Sequence, residues 1–174
     1  MNRKYAVILL IAVCFVLGGI AYAQQAKDDI TAQKSCIQCG MDRDKYNFSR
    51  MAIDYEDGTN AALCSLRCAA DNLAINKDKT PKSIKVADLN GRHLIDAEKA
   101  FWVVGGSKRG VMTRQGKWAF ENKNDAENFM KTNLGKMVPF QEALDLAFDE
   151  MPYVKKETRE KIKTKLGKIP EYKN

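Results

Sequence analysis

Two close cysteine pairs, Cys36-Ile37-Gln38-Cys39 and Cys64-Ser65-Leu66-Arg67-Cys68, constrain this chain more than any other feature, because 24 residues separate Cys39 from Cys64. If the pairs are to meet, the intervening segment must run out and come back, and an antiparallel hairpin does this with a tight turn. The local pattern agrees. Arg50 to Tyr55 alternates apolar and polar residues, Glu56-Asp57-Gly58 supplies a turn, and Thr59 to Leu63 returns as a second strand. Ser65 then caps a helix with Leu66, Ala69, Ala70, Leu73 and Ala74 at helical spacing, ended by Asn76-Lys77-Asp78, and Ser83 to Leu89 alternates as a further strand.

The pattern recurs. Ala100-Phe101-Trp102-Val103-Val104 is an apolar strand stopping at Gly105-Gly106, and Lys117-Trp118-Ala119-Phe120 is its partner. Asn124 caps a helix bearing Ala126, Phe129 and Met130, and Gly135 stops it before the strand Lys136 to Phe140. A last helix from about Gln141 to Asp149 carries Ala143, Leu144 and Ala147 on one face and ends at Met151-Pro152. Both passages spell strand, strand, helix, strand. The expected fold is therefore α+β, with two small ββαβ units in tandem and a C-terminal helical, basic tail.

The N-terminus addresses the chain. Arg3 and Lys4 precede an apolar run from Tyr5 to Ile20, and Ala21-Tyr22-Ala23 is the small-x-small pattern of a secretory cleavage site. The reading is a signal peptide over 1–23 and a periplasmic mature protein, with an uncleaved membrane anchor and a lipoprotein modified at Cys14 as rivals; Val13 is bulky where a lipoprotein site wants a small residue. The expected divisions are a linker over 24–35, the first unit with the cysteine cluster over 36–90, the second unit and its helix over 91–151, and the basic tail over 152–174. Residues 154–174 hold eight basic and three acidic side chains, leaving the rest of the exported chain balanced. A nucleic-acid reader would carry its charge on the folded body beside aromatics, so nucleic acid is excluded as a partner. The tail is expected to stay outside the packed core, solvated, with weak contact to anionic membrane as its other use.

The thiols carry the chemistry. A helix N-terminus near Cys64 and Cys68 favours thiolate, and Gly40 allows a sharp turn that folds Met41 back toward the cysteines. Cys36, Cys39, Met41, Cys64 and Cys68 are expected to converge on one single-ion site. Three readings stay open: copper(I), favoured by the thioether of Met41; structural zinc, whose ribbon sites have similar spacing; and a pair of disulfides, as exported proteins often carry. His93 is expected to be an exposed residue between the units, Met51, Met130 and Met137 core filling, and Trp102 and Trp118 either partners across a strand pair or core residues. With one histidine and no paired carboxylates, nucleophile triad or phosphate loop, the chain is not expected to be an enzyme.

Cys39-Gly40-Met41, the run Ile95-Asp96-Ala97-Glu98-Lys99-Ala100-Phe101-Trp102-Val103-Val104-Gly105-Gly106, Gly110-Val111-Met112, Ala119-Phe120 and Asp125-Ala126-x-x-Phe129 together resemble the NosL family, over about Cys36 to Asp149. The resemblance implies a periplasmic copper(I)-binding protein of two small ββαβ domains, whose best-known relatives deliver copper to the copper-sulfide centre of nitrous oxide reductase. It implies Cys39 and Met41 as ligands, adds Met112 from the second unit, and implies a copper-receiving periplasmic or membrane-associated partner. Two departures stand out: no convincing lipoprotein motif is present, and Cys64-x3-Cys68 is an addition resembling small heavy-metal trafficking domains.

Overall fold

The computed structural model describes residues 29–169, so the expected signal segment and Cys14 lie outside the described residues. The hairpin forms as expected: β1 (Met51–Tyr55) pairs antiparallel with β2 (Asn60–Leu63), Met51 opposite Leu63 and Asp54 opposite Asn60. Gly58 takes φ +82° in the turn, a conformation glycine adopts without steric cost. Helix α1 (Leu66–Ile75) starts at Ser65, whose hydroxyl accepts from the Cys68 amide. Strand β3 (Pro81–Ala87) lies on the other side of β1. In the polar stretch between the units, Leu94–Asp96 forms a further strand, β4, and the sheet order is β2-β1-β3-β4.

The second ββαβ unit comprises β5 (Phe101–Val104), β6 (Lys117–Phe120), α2 (Lys123–Asn133) and β7 (Lys136–Val138), with sheet order β6-β5-β7, all antiparallel. Its helix begins two residues ahead of the expected cap, at Asn122 instead of Asn124. Gly135 is required where α2 reverses into β7: φ is +101°, and a Cβ there would press on Val103 and on the Val104 carbonyl at 3.0 Å. The α+β class with two ββαβ units is what the sequence pattern predicts.

Helix α3 (Phe140–Asp149) buries Phe140, Ala143, Leu144, Ala147 and Phe148, and lies against both α1 and β5. Trp102 is opposite Ala119 and Trp118 opposite Val103, so the two indoles fall on opposite faces of the second sheet and do not face each other. Trp102 packs on Phe140, with ring centroids 5.7 Å apart, and Trp118 packs on Phe129 and on Phe48 of the first unit. Every residue of β6 is buried, the mark of a strand covered on both faces. Among the described residues no helix is long and apolar enough to cross a membrane.

The tail departs from expectation. Helix α4 (Lys156–Leu166) docks on α1, and Val154, Ile162, Leu166 and Ile169 are buried in the core. Ile162 and Leu166, four apart, form a narrow apolar stripe on a charged helix, which a count of net charge passes over. The basic groups meet acidic ones on the body: Arg159 pairs with Asp149, Lys161 with Asp78, and Lys163 with Asp145.

Candidate metal centre

The first cysteine pair sits on a tight turn. The Gly40 amide donates to the Cys36 carbonyl and the Cys36 amide to the Met41 carbonyl, both at 2.8 Å, and Gly40 has φ +77° as the sharp reversal demands. The Ile37 amide donates to the Ala62 carbonyl at 3.0 Å, which fixes the turn against β2. The hairpin delivers Cys64 immediately after β2, where Ser49 Oγ donates to its carbonyl at 2.8 Å, and Cys68 follows in the first turn of α1.

The four thiols converge. Cys39 Sγ is 3.5 Å from Cys64 Sγ, Cys64 Sγ is 3.7 Å from Cys68 Sγ, and all four sulfurs, Cys36 included, lie within 4.8 Å of one another. A metal–sulfur bond of about 2.3 Å sets tetrahedral ligand sulfurs about 3.8 Å apart. The cluster thus matches one ion held by sulfur, and all four cysteines are free thiols. Cys36, Cys64 and Cys68 are buried, whereas Cys39 reaches solvent.

Crowding divides the thiols electrostatically. Cys36 is held well below the ordinary thiol range by hydrogen bonds from Cys64 and Cys68. The hydrogen bond to Cys36, together with burial, pushes Cys64 up to about 12, and bonds to Cys36 and Cys64 with burial push Cys68 higher still. Easy ionisation expected from the helix N-terminus therefore does not extend to Cys64 and Cys68, because one thiolate opposes a second beside it.

Residues with no signature in the sequence complete the setting. Gln38 Nε2, inside the cysteine turn, donates to Asp71 Oδ2 on α1 at 2.8 Å; Tyr153 Oη donates to Asp71 Oδ1 at 2.9 Å, and Arg67 Nη2 donates to Tyr153 Oη at 3.1 Å. Below the turn, the fully buried Arg43 and Arg50 both engage Asp29, at 2.7 and 2.8 Å, and Arg43 also donates to the carbonyl of Leu63, the residue before Cys64. Only a distance in the folded chain, not spacing along it, reveals these pairs.

The methionines are placed differently. Met41 follows the cysteine turn with its side chain half-buried against the core. Met112 is 48 % exposed, at φ +56°, on the loop between β5 and β6. Glu150 holds that loop, accepting from Thr113 Oγ1 at 2.6 Å, the Arg114 amide at 3.1 Å and Lys117 Nζ at 2.7 Å. Met51 is core, and Met130 and Met137 pack against it. His93 lies 3.1 Å from Glu121 on the second unit and takes no part in the thiol cluster; its side chain is 20% exposed where an exposed residue is expected.

The NosL family profile matches residues 27–145. Among solved structures, that of the copper chaperone NosL from Shewanella denitrificans is similar at 25% identity and a TM-score of 0.51, over 63% of this chain and 89% of that one. No curated protein sequence matches the chain.

Proposed function

The chain belongs to the NosL family, and from that premise we propose that it is a periplasmic copper(I) carrier that hands its ion to a copper-receiving protein. One observation carries the reading: four thiol sulfurs within 4.8 Å of one another, three of them buried. Thiolates are soft donors suited to copper(I), and the thioethers of Met41 and Met112 are further soft donors of the same preference. Copper is cargo in this reading, bound by Cys36, Cys39, Cys64 and Cys68 with Met41 and Met112 as accessory ligands. A solved relative, NosL from Shewanella denitrificans, is a copper chaperone. Export rests on the basic start, apolar run and Ala21-Tyr22-Ala23 of residues 1–23. The recipient class is a periplasmic or membrane-associated copper enzyme, of the nitrous oxide reductase type in the family. The division of labour we assign is a metal-holding unit over 36–90 and a second unit over 91–151.

One observation favours a second reading, structural zinc: sulfur separations of 3.5 and 3.7 Å approach those of a four-thiolate tetrahedral site. Native mass spectrometry of reduced protein, with copper(I) and zinc in competition under anaerobic conditions, decides between them. One copper(I) retained against excess zinc is the expected result. Complete displacement of copper by zinc would replace the carrier with a zinc-stapled module.

A further inference from the structure

We propose that the four thiols divide the work of holding and releasing the ion. Cys36, Cys64 and Cys68 hold it, and Cys39 is the ligand through which it is exchanged with an acceptor. The inference rests on the copper-carrier reading above. Cys36, Cys64 and Cys68 are 2%, 0% and 3% exposed, shut in by β2, α1 and the core, while Cys39 alone of the four reaches solvent. Two residues of its turn leave the approach open. Ile37 on the same turn is 51% exposed, and a Cβ placed on Gly40 would meet nothing within 4 Å. An incoming sulfur ligand therefore has a path to Cys39 that opens no packed element, and reaching any other thiol would mean parting the turn from β2 or α1.

Coordination chemistry sets the exposed thiol apart. Copper(I) has a closed d shell and is satisfied by roughly two to three sulfur ligands, so the three buried thiols suffice to hold it. Cys39 Sγ, 3.5 Å from Cys64 Sγ, is near enough to share the ion and is the ligand that can be given up without stripping the metal. In the exchange, an acceptor thiol loses its proton to solvent and its sulfur bonds to copper. The bond from copper to Cys39 Sγ breaks, and the freed Cys39 thiolate takes a proton from water. Copper stays in the +1 state and no electron moves. The holding ligands are then replaced one at a time from a complex already formed with the acceptor.

The division separates affinity from rate, which a uniform four-thiol site does not. With copper(I)-loaded protein under anaerobic conditions, equilibrium competition against a chromogenic copper(I) chelator gives affinity, and stopped-flow mixing with a dithiol peptide acceptor gives the transfer rate as a function of acceptor concentration. Cys39→Ser is expected to lose more than about tenfold in second-order transfer rate and to lose clearly less copper affinity than Cys68→Ser, because the buried set is intact. Cys68→Ser is expected to do the reverse, losing more than about tenfold in affinity, since even the loss of a residue that merely orients a ligand costs that much. A Cys39→Ser protein that transfers as fast as wild type, or one that loses as much affinity as Cys68→Ser, overturns the proposal. Should Cys68→Ser not fold, Cys36→Ser supplies the buried comparison. Wild-type protein that takes up no copper(I) would overturn the carrier reading itself, a result visible before any variant is compared.

Discussion

Asp71 Oδ2 accepts the side-chain amide of Gln38 at 2.8 Å, so a carboxylate on α1 holds the turn that carries Cys36 and Cys39 across 33 residues of sequence. Its other oxygen accepts from Tyr153, on the segment between α3 and α4. One side chain thereby links the helix of Cys68, the cysteine turn and the start of the tail.

Asp71→Ala should weaken metal binding by about 10-fold or more, the usual effect of removing a residue that orients ligands, with a stability loss of only about 1 kcal/mol because the hydrogen bonds are partly solvated. Metal competition beside a urea melt checks both numbers. Unaltered affinity would show that the turn is held by the Ile37 amide bond to Ala62 alone.

Asp29→Ala removes the carboxylate shared by two fully buried guanidinium groups. Breaking a buried ion pair on one side typically costs about 3–5 kcal/mol, and the 22% exposure of Asp29 places this case toward the lower end, about 3 kcal/mol. Denaturant unfolding of the metal-free protein measures it. A loss below about 1 kcal/mol would mean that water replaces the carboxylate without penalty.

Leu166→Ala tests the docked tail. Leu166 is 4% exposed, and leucine truncation in a core costs about 2–5 kcal/mol. Truncation after Met151 removes Val154, Ile162 and Ile169 as well and should cost more. Thermal stability untouched by either change would return the tail to the solvent.

Met41→Leu keeps the volume and removes the sulfur. The swap should cost less than about 1.5 kcal/mol of stability, while copper(I) affinity falls and zinc affinity does not, since thioether sulfur discriminates between the two ions. Equal affinity for copper(I) in the variant would confine Met41 to packing.

Metal affinity should rise with pH. Cys36 is held below its ordinary range and Cys64 and Cys68 above it, so the empty site near neutrality keeps protons on the latter two, and the metal must displace them. The sign follows: raised pKa values mean protons bound in the empty site and released on loading, so acid opposes loading. Calorimetry in two buffers of different ionisation enthalpy should find at least about two protons released per ion at pH 7. Release of none would mean that the pair is already ionised.

By itself the sequence determined most of the elements and their order. Period-two alternation at Arg50 to Tyr55, the turn at Gly58, the cap at Ser65 and the stop at Gly135 are local signals, and local signals set strands, turns and helix ends wherever they agree with one another. The cysteine spacing likewise announced a cluster of thiols, because the hairpin needed to close it is written between the pairs. Tertiary structure alone decided the rest. The support of the site by Asp71, Tyr153, Asp29 and Arg43, the strand at Leu94–Asp96, the opposite faces of Trp102 and Trp118 and the docking of α4 all depend on which surfaces meet. The tail shows the reason most plainly: its lysines and arginine read as a solvated charge run until Asp78, Asp145 and Asp149, distant in sequence, are brought opposite them and Ile162 and Leu166 find the apolar face of α1. Pairing across the chain is a property of distance in space, and no periodicity along the chain encodes it.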